Sequence, residues 1–342
     1  MKAAVLEEFH RPLVIRDLEI AEPGRGEVTV AVKASGLCLT DTHISEGRVP
    51  TVKLPLVLGH ETAGVVARLG PDVSEVAVGD RVTVFVDVSC RHCEFCLRGE
   101  TNRCTGLSRI GFERNGGMAE FVNVPAVNLE RISDAVSFEK AAIIPDAVAS
   151  IYRGLKTVGG VGLGSKVAIL GVGGLGIQGV KIARLLGAQV TCTDLDDRKL
   201  ERARAFGAEH TINPGREKFL DAVRERTGSF DVVVDNVGRK ETVFEAIAAC
   251  RNGGKVVCMG YVDPVLEVSS YDIVIKEKQV LGSRACTRAE FRDVVALVNS
   301  GRLDPDIGEL VPISDVNQAL ENLRQGRYLT RTVLMLPFGD GS

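Results

Sequence analysis

The chain has 342 residues, more than one hydrophobic core usually serves, so two domains are expected. Its 45% hydrophobic and 25% charged content is that of an ordinary folded globular protein, and the net charge of −3 comes from Lys and Arg scattered among Asp and Glu. That pattern excludes a nucleic-acid arm and a polybasic membrane-binding run; no apolar stretch reaches spanning length, and residues 1–6 turn acidic too soon for a signal peptide. The expected address is the cytoplasm, where thiols stay reduced.

Residues 28–32 alternate apolar and polar, 64–67 follow a turn, and 81–86 alternate again. With Pro23-Gly24, Gly70-Pro71 and Gly116-Gly117 as punctuation, the first 140 residues read as strands and turns. Within them lie Cys90, Cys93, Cys96 and Cys104, four of the nine cysteines in fifteen residues. Two-residue gaps let consecutive thiolates curl round one ion, and a seven-residue loop returns the fourth to close a tetrahedron. A closed four-thiolate shell leaves no place for substrate, so a structural zinc is expected, with an iron–sulfur cluster as the rival occupant.

After about residue 150 the texture changes to strand–helix alternation, the mark of a parallel sheet with crossover helices. Strands are expected at 166–170, 189–193, 231–235, 255–259 and 280–282, with helices at 198–206 and 241–250 between them. Helices at 289–300 and 316–325 and a strand at 332–336 follow. The first of these strands runs into Gly171-Val172-Gly173-Gly174-Leu175-Gly176, a Gly-x-Gly-x-x-Gly turn. The first glycine permits the turn, the second lets backbone approach a pyrophosphate, and the third allows close helix–strand packing. The helix opening there offers N–H groups and a positive dipole to phosphate, and Gly176, Val180, Ala183 and Gly187 give it one small-residue face. The next strand leads to Asp194, eighteen residues past the last glycine. A carboxylate there accepts hydrogen bonds from ribose hydroxyls and repels a 2′-phosphate. Asp196 and Asp197 add negative charge, so NAD is favoured over NADP, with Arg198 as the one opposing charge.

Two further residues stand out upstream: Cys38, in Gly36-Leu37-Cys38-Leu39-Thr40-Asp41-Thr42-His43, and His60, in Gly59-His60-Glu61. Each alone would be bland. Together, ahead of a nucleotide fold, they suggest two ligands of an ion with an open coordination position.

These segments, the four-cysteine lobe and the glycine turn together resemble the zinc-dependent alcohol dehydrogenases of the medium-chain dehydrogenase/reductase superfamily, in their short microbial branch. The resemblance runs nearly end to end. It implies an α/β fold: a GroES-like, β-rich catalytic domain at 1–149 and 286–342, and a Rossmann doubly wound domain at 150–285. It implies NAD and two zinc ions per subunit, one structural at the lobe and one catalytic at Cys38 and His60, in a homotetramer.

The family's usual third ligand, a cysteine, is absent here. Asp146 occupies that position, and carboxylate is an accepted zinc ligand. The other reading makes Asp146 a helix cap and lets Glu61 complete the site. The resemblance further makes Thr40 the proton acceptor and His43 its outlet to solvent, while Asp41 orients His60 and Arg331 clasps the pyrophosphate. Counting from the shared cysteines puts Val49 and Phe85 where small-alcohol relatives carry bulky Trp; this chain has no Trp. The implied activity is oxidation of secondary, cyclic or medium-length alcohols, with the matching carbonyl reduction. Polyol, amino-alcohol or hydroxyacyl-CoA dehydrogenases of the same family are alternatives. A zinc-free quinone reductase would lack the Cys38/His60 pair and the lobe, and an NAD-binding zinc redox sensor would need the second metal position closed, or no proton path.

Overall fold

A computed structural model describes residues 1–263 and 265–336. The chain divides into two compact units, Met1–Ala149 with the chain from Cys286 onward, and Ser150–Ala285. No helix among the described residues is long and apolar enough to cross a membrane.

The first unit is built on a seven-stranded sheet in the order Leu129–Arg131, Arg81–Val84, Glu61–Leu69, Glu27–Gly36, Arg331–Met335 and Ile307–Pro312, with Phe121–Pro125 also pairing to Glu27–Gly36. Alternation in the central strand sends Val28, Val30, Val32 and Ala34 to the interior, each fully buried. Val28, Val30 and Val32 meet Val66, Val82, Val84, Val122 and Val124 from the neighbouring strands in one apolar core. A three-stranded sheet of Val14–Asp17, Lys2–Leu6 and Leu56–Val57 packs over a second core. The cysteine lobe hangs from a short ribbon in which Asp87–Val88 pairs antiparallel with Ser108–Arg109.

The pairing register positions the functional residues of this unit. Gly36 lies opposite Glu61 at the end of the Glu27–Gly36/Glu61–Leu69 ladder. The chain therefore enters the Leu37-Cys38 corner and leaves the Gly59-His60 corner side by side. Strand Arg331–Met335 adds to the same end, with Val333 opposite Gly36, and the Leu37 N–H donates to the Thr332 carbonyl at 2.9 Å.

The second unit holds a six-stranded, all-parallel sheet in the order His210–Ile212, Gln189–Thr193, Lys166–Leu170, Phe230–Asp235, Cys250–Cys258, Gln279–Gly282. Strand order reverses between the first and fourth strands of the unit, which makes the end of Lys166–Leu170 the switch point where such sheets take ligands. Val167, Ala168 and Ile169 are wholly buried, as expected of a strand covered on both faces.

Several elements differ from the sequence-based expectations. His210–Ile212 pairs parallel to Gln189–Thr193 although its two polar residues out of three mask it as a strand. Strand Arg81–Val84 ends two residues short of the expected 86. Gly187 lies beyond helix Gly176–Leu185 with φ +83°, so it stops the helix instead of sharing its face. The N-terminal unit also contains helices where only strands and turns were expected, and helix Leu39–Ser45 is the consequential one.

Two candidate metal centres and a dinucleotide turn

Cys38 is the N-cap of helix Leu39–Ser45. Its N–H donates to Asp41 Oδ2 at 2.9 Å, closing a capping box that a Cys-x-x-Asp run builds much as Ser-x-x-Glu does. The other Asp41 oxygen lies 3.2 Å from His60 Nδ1. One fully buried carboxylate thus starts the helix and holds the imidazole, leaving Nε2 as the ligand atom. Thr40 follows the cap, with its hydroxyl 3.4 Å from Cys38 Sγ, and His43 sits three residues on, along the same face of the helix. Burial and the Arg48 charge both lower the His43 pKa.

The third member arrives from far along the chain. A π-helical turn, Ile144–Val148, carries Asp146, and the wide i→i+5 bond from Val148 N–H to the Ile143 carbonyl marks it. Such single π turns recur at functional sites because they re-aim a side chain without ending the helix. Asp146 Oδ2 lies 3.4 Å from Cys38 Sγ and 3.7 Å from His60 Nε2. Among the described residues, ligand atoms of Cys38, His60 and Asp146 all fall within 4.8 Å of one another. The Asp146 side chain remains a quarter exposed while the other two are buried.

Glu61 is not part of that converging set. Its Oε1 accepts the Ala147 N–H at 2.9 Å and pairs with Arg331 at 2.9 Å, while Oε2 is buried without a hydrogen-bond partner. Burial, opposed by Arg331 and reinforced by Asp146, raises the Glu61 carboxyl to about 7. Room for this carboxylate explains Gly36: a Cβ there would stand 1.9 Å from Glu61 Oε2. Arg331, expected on a pyrophosphate, is itself buried, with Nη2 2.8 Å from Asp146 Oδ2. Its guanidinium faces Cys38, Glu61 and Asp146 together, so the pocket holds more acid than base. A thiolate, an imidazole and a carboxylate in such a pocket suit a divalent zinc ion in both donor type and charge.

In the lobe, ligand atoms of Cys90, Cys93, Cys96 and Cys104 also lie within 4.8 Å of one another. N–H groups of Cys96 and Thr105 pull Cys93 down to about 5, whereas burial pushes Cys96 up to about 12. Four sulfurs so close repel as bare thiolates, and a soft divalent cation is what reconciles them.

In the second unit, Gly171 has φ +80°, and a Cβ on Gly176 would fall 2.0 Å from the Gly171 carbonyl, so both are demanded by the turn itself. Gly173 differs, because a Cβ there meets no protein atom within 4 Å. Packing among the described residues does not require that glycine, which leaves the space beside it open to a ligand. Gly174 and Leu175 complete the turn, with Leu175 as N-cap of helix Gly176–Leu185. Asp194 Oδ2 accepts the Val172 N–H and Oδ1 the Asp196 N–H, both at 3.0 Å, which fixes the carboxylate against the turn. Arg198 is engaged by Asp196 through both oxygens, at 2.7 and 3.0 Å.

Residues 24–134 match the family model described as alcohol dehydrogenase GroES-like domain, and residues 174–300 that described as zinc-binding dehydrogenase. An alcohol dehydrogenase of Geobacillus stearothermophilus is 34% identical over 98% of this chain and 99% of its own length. The chain belongs to the zinc-dependent alcohol dehydrogenase family. Its fold is accordingly the GroES-like plus Rossmann pair, and the protein is an oxidoreductase acting on alcohols. Among solved structures, an NAD-dependent alcohol dehydrogenase superposes with TM-score 0.94 at 32% identity, covering 98% of this chain and 100% of that one. The acetophenone reductase of Geotrichum candidum, solved with NAD, gives 0.89 at 31%, covering 98% and 96%.

Phe85 and Val86, at the place counting pairs with Val49, pack in different directions. Phe85, just past the end of its strand, is buried against Phe291 at 5.2 Å with the Arg288 guanidinium 5.8 Å from its ring. The next residue, Val86, joins the apolar cluster of Leu37, Leu58 and Phe112 on which Val49 packs. Val86, and not Phe85, belongs to the cluster on which Val49 packs. Phe112 was not singled out in the sequence at all; its ring lies 5.2 Å from that of His60.

Proposed function

We propose that the protein is an NAD-linked zinc alcohol dehydrogenase and carbonyl reductase, acting on secondary, cyclic or medium-length alcohols in the cytoplasm. The observation that carries this reading is the convergence of Cys38, His60 and a part-exposed Asp146 beside Thr40. When bound, zinc supplies Lewis acidity to an alcohol oxygen and the nicotinamide supplies a hydride acceptor. Cys38, His60 and Asp146 hold the metal, and Asp41 keeps the His60 imidazole in its orientation. The Thr40 hydroxyl takes the proton released from the alcohol, and His43, whose pKa is lowered, passes it to solvent as a neutral relay. Arg331 neutralises Glu61 and Asp146. Val49 and Val86 leave a wider apolar wall than Trp would, and each substrate methylene buried there adds about 0.8 kcal/mol.

NAD reduction across ethanol, 2-butanol and cyclohexanol tests the activity and its size class together. The secondary and cyclic alcohols should give the higher kcat/KM, and Val49→Trp should reverse the order. Ethanol as the best wild-type substrate would remove the size argument.

Protein purified without chelator should contain about two zinc ions per chain, one in each ligand set. Asp146→Ala should bring this to about one and lower kcat/KM at least about 100-fold, since even outer partners of a metal ligand are worth 10–100-fold. Iron in the lobe, or full activity in the variant, would contradict the assignment.

Asp194→Gly should shift the NAD-over-NADP ratio of kcat/KM toward NADP by at least about tenfold, about 1.4 kcal/mol, by removing the charge that repels a 2′-phosphate. Equal use of both cofactors by the wild type would show that Asp194 sets no preference.

A homotetramer is the proposed assembly. Among the described residues, strand Gln279–Gly282 pairs on one side only, and Tyr261, Val262, Val265, Tyr271, Val274 and Ile275, close to it in the chain, are more than half exposed. A second copy of the chain covering this edge would bury them. Light scattering should return the mass of four chains; a monomer at micromolar concentration would overturn the proposal.

A further inference from the structure

Beside the catalytic-type site lies a connected set of side chains that no step above uses. The Arg109 carbonyl accepts N–H bonds from Phe112, Glu113 and Arg114 at 3.2, 3.1 and 3.0 Å, making a tight turn directly after the lobe ribbon. A Cβ on Gly111 would come within 2.8 Å of the Gly59 carbonyl and 2.9 Å of His60 N, so the turn lies flush on the backbone of a metal ligand. From it Phe112, almost fully buried, leans its ring on the His60 imidazole with planes at 51°. The Arg109 guanidinium carbon is 4.0 Å from the centroid of the same Phe112 ring.

That guanidinium is held at Nε and Nη2. Nε and Nη2 donate to the two Glu113 oxygens at 3.1 and 2.5 Å, and Nη2 also donates to Thr51 Oγ1 at 3.0 Å. The Thr51 hydroxyl in turn donates to Glu113 Oε1 at 2.6 Å. Arg109 and Glu113 are four-fifths buried, unlike most ion pairs on this protein, so the fork is less screened than a surface pair. Thr51 belongs neither to the turn nor to the lobe. It sits two residues after Val49, which packs on the same apolar cluster as Phe112 and Val86.

We propose that Arg109 is a positioning residue for the alcohol side of the site. Clamped by Glu113 and Thr51, it fixes Phe112 against His60 and ties to it the loop that carries Val49, giving the apolar wall one size. A planar fork that stacks and bonds at once is the part of this device that Lys cannot replace. The size argument rests on the alcohol dehydrogenase reading; the His60 contact does not.

The test compares Thr51→Val, Thr51→Ser, Arg109→Met and Arg109→Lys in two readouts. The first is the kcat/KM ratio of cyclohexanol to ethanol, split into kcat and KM. The second is the visible ligand-field spectrum of the cobalt-substituted protein, with Asp146→Ala as the baseline for the lobe alone. Thr51→Val, Arg109→Met and Arg109→Lys should change the ratio by about fivefold or more, mainly through KM, while Thr51→Ser keeps the wild-type ratio. Arg109→Met should also alter the catalytic-site cobalt bands. Unchanged ratios and bands in the folded variants would make the clamp a fold staple and overturn the proposal. If Arg109→Met does not fold, Thr51→Val and Arg109→Lys decide. If the wild type oxidises no alcohol, the functional reading falls, and the cobalt bands alone then support or overturn the Arg109 contact with His60.

Discussion

The register that sets Gly36 against Glu61 is the constraint on which the site depends. Backbone pairing at that point brings the corners bearing Cys38 and His60 together, although the residues are twenty-two apart. The register is strongly held because one face of the central strand is buried: a slip of one residue would turn Val28, Val30, Val32 and Ala34 out of the core. The candidate ligand pair is therefore positioned by sheet packing, which is rigid, and not by loop preference.

The same register has an electrostatic consequence. It buries Glu61 completely, at a place where no Cβ on Gly36 competes for space. A buried carboxylate must be paired, and the strand that pairs next to Gly36 delivers Arg331 for that purpose. Arg331 also reaches Asp146 and so links the strand ends to the π-helical turn. Removing Arg331 would leave both acids without their shared cation, which is why the three are best regarded as one unit. Asp41 couples in from the other side by bonding both the Cys38 N–H and the His60 ring.

In the second unit the constraint is steric. The parallel sheet order creates a switch point at the end of Lys166–Leu170, and the Gly171–Gly176 contact lets the following helix start close to it. Asp194 is drawn to the same turn by the Val172 N–H, so the carboxylate proposed to read the ribose is preorganised by the turn proposed to receive the pyrophosphate.

What could be read in the sequence was local. Four cysteines in fifteen residues, a glycine turn after an apolar strand, and an acid at the next strand end each define their chemistry within a few turns of chain. Strand and helix periodicity likewise exposed the parallel half and much of the antiparallel half. The rest needed the folded chain, because burial and long-range contact decided it. Asp146 lies 108 residues from Cys38, and only packing distinguishes it from Glu61, whose oxygen is taken by Ala147 and Arg331. Val86, and not Phe85, joins the apolar cluster that carries Val49, which counting along the chain does not reveal because it carries no information on where a side chain turns past the strand end at Val84. Phe112, Arg109 and Thr51 form no sequence pattern at all. Their association arises because a turn without side chain at Gly111 can lie against the backbone of His60, a fact of three dimensions alone.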